Sequence, residues 1–234
     1  MAERTQNSIN TQKELTNAVS HELRTPVARM RFALEMLEDS DTEIDKARFI
    51  ESLNTDINDL DILLEELLSY ARFDQDNAKI NIRIEKIIPW LSQSMEKLMP
   101  LADTKLLNYH ITGIGINESA SFDPHLMTRV LDNLVQNALR YSKNNVEVTL
   151  KKDINDYILT VDDDGSGISK DDQKIIFDAF SRIDSSRNKS TGGFGLGLAI
   201  VERIIKAHQG TINVKDSKLG GACFQVHWPI NSRV

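Results

Sequence analysis

Residues 192–201 read Gly-Gly-Phe-Gly-Leu-Gly-Leu-Ala-Ile-Val, a glycine cluster that runs without a break into an apolar helical stretch. Glycine lets backbone N–H groups come close to an anion, and the helix placed at about residues 195 to 208 adds its unpaired first-turn N–H groups and the positive end of its dipole. Phosphate at the start of this helix is the first expectation. A second cluster, Asp163-Asp164-Gly165-Ser166-Gly167, lies upstream, so six of the eleven glycines fall between Gly165 and Gly197. A lone Gly-x-Gly is most often a turn; two clusters about 30 residues apart favour a shared phosphate site. The segment Lys170 to Thr191 between them carries Phe177, Phe180, Arg182, Arg187 and Lys189. Its length suits a lid whose cations meet a terminal phosphate, a solvated surface loop being the competing reading.

A helix over Leu126 to Tyr141 places Val130, Leu134, Ala138 and Tyr141 on one face and Asn133, Asn137 and Arg140 on another. Asparagine is unfavourable in mid-helix, and two of them one turn apart suit hard Mg²⁺ through their carbonyl oxygens, or else are surface amides. Outward from these elements the periodicity is mixed. Ile80, Ile82 and Ile84 alternate as a short strand, and Ile87 to Leu101 read as a helix with Pro89 tolerated near its start. Val146 to Leu150 and Tyr157 to Val161 alternate on either side of a turn at Asp153 to Asp156, which favours antiparallel pairing. Strands near 211–215 and 222–228 complete an α+β sandwich with helices on one face of a sheet. There is neither a Gly-x-x-x-x-Gly-Lys-Ser/Thr loop nor a Gly-x-Gly-x-x-Gly after a strand, so P-loop and dinucleotide folds are disfavoured.

The N-terminal part differs in kind. Leu15, Val19, Leu23, Val27, Met30, Leu34 and Leu37 form one helical stripe, which Asp39-Ser40-Asp41 interrupts. Thr42 with Asp45 forms a capping box opening a second helix, along which Ile50, Leu53, Ile57, Leu60, Leu64, Leu67 and Ala71 alternate at three and four. Two such helices cannot enclose a core alone, so the hairpin is expected to pair with a second copy as a dimeric four-helix bundle. Asp74 to Asn77 is polar and unpatterned and marks the boundary. His21 lies about 180° from the centre of the first stripe and therefore faces solvent, with Glu22 beside it as a possible hydrogen-bond partner or a plain surface charge. Pro26 lacks the N–H that would bond the Glu22 carbonyl, so a bend is expected just after His21.

The 234 residues carry a net charge of -7 and are 40% hydrophobic, an ordinary globular balance. That charge argues against broad attraction to nucleic acid or anionic membrane, so an anion has to be held locally. The single cysteine, Cys223, excludes an internal disulfide. No apolar run reaches the roughly 18 residues that span a bilayer. The polar start, flowing straight into a helix, reads as an excised piece, with Met1 to Arg4 appended and a longer native protein upstream.

Taken in order, Asn133 to Tyr141, Val161 to Ile168, Phe177 to Phe180 and Gly193 to Gly197 resemble the N, G1, F and G2 boxes of the sensor histidine kinases, and Ser20-His21-Glu22-Leu23-Arg24-Thr25-Pro26 resembles their H box. The resemblance implies a dimerisation and histidine phosphotransfer domain over residues 1–74 and a Bergerat-type ATP-binding domain over 75–234. It implies ATP and Mg²⁺ as cofactors, Asn137 as the Mg²⁺ ligand, Asp163 as the carboxylate that reads the adenine amino group and Tyr141 as a pocket aromatic. Asn133, Gly165, Gly167, Gly193, Gly195, Leu196 and Gly197 fall to the nucleotide through their boxes. Arg140 departs from the lysine frequent at its position, keeping the charge but not the geometry. Arg182 and, more weakly, Arg187 stand where γ-phosphate contacts are expected. His21 is then the phosphoacceptor, Glu22 its base, and Thr25 the group that orients water for dephosphorylating a partner. A response regulator and a second copy of the chain are the implied partners. The full-length protein is expected to be a sensor anchored in the inner membrane, of which this is the cytoplasmic portion.

Overall fold

In the computed structural model, which describes residues 2–73, 80–182 and 193–230 (side chains from Thr16 onward), two helices come first. These are α1 (Ala2–Glu38) and α2 (Glu43–Arg72). Leu15 as a side chain, the boundary at Asp74 to Asn77, Arg187, Lys189 and Gly192 lie outside the described residues. The chain divides into two compact units, Met1–Ser69 and Tyr70–Val234.

The capping box at the head of α2 forms. Thr42 Oγ1 accepts from the Asp45 N–H at 3.1 Å and donates to Asp45 Oδ2 at 2.6 Å, while Glu43 and Asp45 place negative charge in the first turn, where the dipole favours it. α1 runs on through Pro26 as one helix. Arg29 reaches across to buried Asp56 and, at 3.4 Å, to Asp59, a pairing that only one register of the two helices satisfies. The apolar stripes are largely uncovered within one chain: Leu23, Val27 and Leu34 on α1 and Ile50, Ile57 and Leu64 on α2 are between 38% and 55% exposed, and Ala33 and Leu63 are closed over. A seam of this kind left in water calls for another surface to cover it.

The second unit is built on a five-stranded sheet. Its strands, in chain order, are β2 (Leu106–Thr112), β4 (Asn145–Lys152), β5 (Asp156–Asp163), β6 (Thr211–Asp216) and β7 (Ala222–Pro229), and their spatial order is β2-β4-β5-β7-β6. A separate ribbon pairs β1 (Arg83–Lys86) with β3 (Ser119–Phe122). The helices are α3 (Ile87–Leu98), α4 (Pro124–Tyr141) and α5 (Gly197–Ala207), with 3₁₀ turns at Met99–Ala102 and Asp172–Lys174. β4, β5 and β7 are antiparallel neighbours, as the alternation requires, whereas β2 lies parallel to β4. Register explains the core: Val148 stands opposite Val161 and Val161 opposite Phe224, while Leu150, Leu159 and Val226 align one step along. All of these are buried, so one face of the sheet is continuous apolar surface under the helices. Tyr157 and Trp228 face each other in register with ring centroids 5.6 Å apart.

The structure departs from the simple sequence pattern at three places. The isoleucine alternation at 80–84 does not make a buried strand; β1 begins at Arg83 and Ile84 is exposed, because pairing is limited to four residues against β3 and the Asn81 N–H is drawn to Asp123 Oδ2 at 2.8 Å. β2 and β3 were not read at all: β2 is an edge strand whose sole buried side chain is Leu107, and β3 is short. Tyr141 does not continue the buried face of α4; Val130, Leu134 and Ala138 do, and Tyr141 is exposed where the helix ends.

α4 is capped from both sides. Asp123 Oδ1 accepts the N–H groups of His125 (3.1 Å) and Leu126 (3.2 Å), and Pro124 occupies the first turn. The Asp123 N–H donates to Nε2 of fully buried His208 at 3.0 Å, and the other ring nitrogen, Nδ1, donates to the Ile204 carbonyl at 2.8 Å. His208 therefore uses both nitrogens as a neutral imidazole. At the far end the Lys105 ammonium donates to the carbonyls of Leu139 (2.5 Å) and Ser142 (2.7 Å), placing a cation at the negative end of the helix dipole.

Burial pushes the His208 pKa down, more than the Ile204 carbonyl and the nearby Asp123 charge push it up. The unfolded chain therefore binds a proton that the folded chain refuses, and the stability that neutral His208 contributes is lost as pH falls below about 6.5. The urea midpoint of the Tyr70–Val234 unit is expected to drop between pH 7.5 and pH 5.5, and His208→Gln to lower the midpoint at pH 7.5 while flattening that slope.

Candidate functional site

His21 projects from α1 with its side chain 76% exposed. Its Nδ1 lies 3.2 Å from Glu22 Oε1, so the neighbouring carboxylate does reach the ring although adjacent helical side chains diverge. This contact leaves Nε2 facing outward as the nitrogen with a lone pair, once Nδ1 carries the proton that Glu22 accepts. One turn on, the Thr25 hydroxyl donates to the His21 carbonyl at 3.4 Å. Pro26 is buried beneath them.

In the other unit the motif residues, scattered from Asn133 to Gly197, meet around the end of α4 and the start of α5. The glycines report this most directly. A Cβ added to Gly165 would overlap the Tyr141 carbonyl oxygen; one at Gly193 would lie 2.6 Å from the Arg140 guanidinium; one at Gly197 would lie 2.6 Å from Asn133 Oδ1. Gly195, at φ +75°, would bring a Cβ to 2.9 Å from the Phe180 carbonyl carbon, and the Phe180 N–H donates to the Gly195 carbonyl at 2.9 Å. Phe180 itself sits at φ +63°, a strained conformation for an aromatic residue. Phe177 anchors the same segment edge-on against Phe224, with centroids 6.5 Å apart.

α5 begins at Gly197 with Leu196 as N-cap and no side-chain cap. Its first-turn N–H groups are thus available to an anion. Leu196 has its side chain fully buried, so only its backbone can face a ligand. Asn133 directs its amide nitrogen to the Arg129 carbonyl at 2.9 Å, which leaves Oδ1 toward Gly197. Asn137 is half-buried one turn further along. Among the described residues no group of three or more His, Cys, Asp or Glu could hold a metal ion, and the candidate protein ligand for Mg²⁺ beside phosphate is an amide oxygen. This suits an ion that keeps few protein ligands. Arg182 is exposed and makes no hydrogen bond or ion pair among the described residues.

Asp163 is 3% exposed. Its Oδ1 accepts from the Gly165 N–H at 2.8 Å and from the Ala222 N–H at 3.1 Å. Burial pushes its pKa up, the two N–H groups resist this, and the adjoining Asp164 and Asp162 add to the rise. Asp164, not singled out as a site residue from the sequence, fastens the loop after α4: it accepts from the N–H groups of Lys143 (2.8 Å) and Asn144 (3.0 Å) and from the Asn145 side chain (3.1 Å). Desolvation opposes its charge, but those donors prevail and hold its pKa at about 2. Gly221, Ala222, Lys105 and His208 were also missed. They are remote in sequence, and only the run Asp162-Asp163-Asp164 hinted that carboxylates here take backbone partners.

With this geometry established, comparison with known proteins gives one coherent result. Residues 11–76 match the His Kinase A (phospho-acceptor) domain, and residues 122–232 match the histidine kinase-, DNA gyrase B- and HSP90-like ATPase family. The sensor protein RstB of Escherichia coli K12 is 40% identical over 230 residues, covering 98% of this chain and 52% of that protein. The sensor histidine kinase CpxA of the same strain is 32% identical over 231 residues, 95% of this chain and 48% of that one. The chain thus spans about half the length of the curated relatives it matches. Among solved structures, histidine kinase AdeS of Acinetobacter baumannii superposes with a TM-score of 0.71 at 24% identity, covering 90% of this chain and 98% of that one. Histidine kinase ThkA, solved in complex with the response regulator protein TrrA, gives 0.77 at 19% identity over 97% of this chain and 64% of that one.

The Gly165 and Tyr141 contact generates a test. Gly165→Ala places a methyl against a backbone carbonyl that cannot swing away, whereas Gly193→Ala meets a mobile guanidinium. Calorimetric titration with Mg²⁺-ATP is expected to show an affinity loss of at least about tenfold for Gly165→Ala, with a destabilisation of about 1–3 kcal/mol.

Proposed function

The chain belongs to the sensor histidine kinases, and from that premise we propose that it binds Mg²⁺-ATP between α4 and α5 and transfers the γ-phosphoryl group to His21. The supporting observation is the state of His21 itself: exposed, with Nδ1 engaged by Glu22 and Nε2 open. Nε2 forms the bond to phosphorus as the bond from phosphorus to the β–γ bridging oxygen breaks and ADP departs. The Nδ1 proton moves to Glu22 Oε1, which leaves the phosphoimidazole neutral at its ring. Asn137 would hold Mg²⁺, which would supply neutralisation of phosphate charge when bound. Asp163 accepts from the adenine amino group, Tyr141 covers the base, and Arg140, with Arg182 or Arg187, meets phosphate. The α5 N-terminus and the glycines at 193, 195 and 197 supply backbone N–H groups, with Gly165 and Gly167 shaping the base side of the pocket and Asn133 at its centre.

The phosphoryl group then passes from nitrogen to an aspartate of a response regulator, a partner class supported by the ThkA complex. Thr25, one turn from His21, orients water for the reverse task of dephosphorylating that regulator. We assign residues 1–74 to dimerisation and phosphotransfer and 75–234 to ATP binding. The uncovered stripes Leu23, Val27, Leu34, Ile50, Ile57 and Leu64 support a homodimeric four-helix bundle. The native protein is a membrane-anchored sensor whose cytoplasmic portion this is. Among the described residues no helix is long and apolar enough to cross a membrane.

Incubation with Mg²⁺ and γ-labelled ATP is expected to give acid-labile, alkali-stable label that His21→Gln removes. Unlabelled protein that still binds ATP would instead make this a nucleotide-binding scaffold. Glu22→Gln is expected to slow labelling about 10²-fold with little change in ATP affinity, and Thr25→Ala to spare labelling while removing phosphatase activity. Replacing Ile57 and Leu64 together by Asp is expected to convert a dimer to monomer in sedimentation equilibrium. A dimer that survives this change would move the interface elsewhere.

A further inference from the structure

We propose that the turn joining β6 to β7 is the element that sets base specificity: Gly221 and Ala222 lock the Asp163 carboxylate so that its second oxygen serves only as an acceptor, selecting a 6-amino purine over a 6-oxo purine. The inference rests on the assignment of Asp163 as the base-reading group and adds how that group is held. Oδ1 receives both the Gly165 N–H at 2.8 Å and the Ala222 N–H at 3.1 Å, and Oδ2 makes no hydrogen bond among the described residues. Two N–H donors on one oxygen favour the ionised carboxylate, acting against the burial that pushes its pKa up. An ionised carboxylate has nothing to donate, so it pairs with an exocyclic amino group and repels a carbonyl oxygen at the same position.

Gly221 is a glycine for space rather than for conformation. Its φ lies outside the left-handed region, but a Cβ there would overlap Asp163 Oδ1 and the Gly165 nitrogen and lie 2.7 Å from the Asp163 carbonyl oxygen. Gly220 is the reverse case, at φ +101° with nothing within 4 Å of an added Cβ. The turn is tied back to β5 on both sides. The Gly221 N–H donates to the Asp163 carbonyl at 3.1 Å, and Ser217 donates its hydroxyl to Asp162 Oδ1 at 2.8 Å while its N–H donates to the Gly221 carbonyl at 2.8 Å. Ser217 Oγ also accepts from the Leu219 N–H at 3.0 Å. These bonds leave the Ala222 N–H little choice of direction, and they make Gly221 and Ala222 positioning residues that act through Asp163.

Dissociation constants of Mg²⁺-ATP and Mg²⁺-GTP, measured by competition against a fluorescent nucleotide, test this with the full chain. Gly221→Ala is expected to lower the ATP-over-GTP preference at least about tenfold, raising the KM for ATP while the labelling rate at saturating ATP stays within about twofold. Equal losses for both nucleotides, or an unchanged preference, would overturn the proposal. If Gly221→Ala does not fold, Ser217→Ala, which adds no atom to the cradle, carries the same test with an expected loss of preference of about two- to fivefold; an unchanged preference there overturns it too. Asp163→Asn separates the premise from the inference. If this substitution leaves the preference unaltered, Asp163 does not read the base; if it shifts the preference and neither turn variant does, only the role of the turn is lost.

Discussion

α4 is fixed at both ends by buried or half-buried polar groups from remote parts of the chain, and the nucleotide site depends on that fixation. Asp123 and His208 hold its N-terminus and Lys105 its C-terminus. One helix then carries Asn133, Asn137, Arg140 and Tyr141 at set heights and angles, because its backbone can neither fray nor rotate without abandoning buried hydrogen bonds. His208 closes α5 as well, through the Ile204 carbonyl. The end of one site helix and the start of the other therefore share a side chain, which couples the two elements that flank the glycines proposed to bind phosphate.

Three consecutive aspartates at the end of β5 show how environment assigns function. Asp162 is buried, accepts from Ser217 and helps push the Cys223 thiol up to about 12, burial being the larger cause. Asp163 is buried with one oxygen satisfied. Asp164 fastens the loop after α4 through backbone donors. Asp162 and Asp163 remain in the ladder with β4 and point to opposite faces, and Asp164 lies just beyond the strand, so all three carboxylates find separate partners. The same chemical group is thus a structural anchor, the proposed base-reading group and a loop clasp within three residues.

The hairpin follows a different economy. It closes over very little of its own apolar surface, and Asp56, the one deeply buried charge among its described residues, is matched by Arg29 across the helices. His21 presents an exposed ring with one nitrogen engaged, which is what the proposed phosphoryl transfer asks of it. Accessibility would serve a residue proposed to meet successive partners, and Glu22 and Thr25 both bond to it from the same helix.

Local pattern settled a good part of this protein. The stripe spacing and the Thr42 to Asp45 box determined the hairpin, and alternation determined β4, β5 and β7. The glycine clusters and the paired asparagines pointed to the candidate site that the fold gathers, because periodicity, capping and glycine's lack of a side chain act over a few residues. Expectations failed where the deciding partner was distant. β2, an edge strand that aligns parallel to β4, carries no clean alternation to announce it. Ile84 alternates but has nothing to pack against, and Tyr141 leaves the buried face because the helix ends there. The clamps on α4 and the Gly221 cradle around Asp163 exist only once residues some 35 to 85 positions apart are brought together. Sequence determined which backbones and side chains were available; only the tertiary structure decided which oxygen of Asp163 is satisfied and which is left open, because hydrogen-bond direction depends on the positions of groups that the chain order does not place side by side.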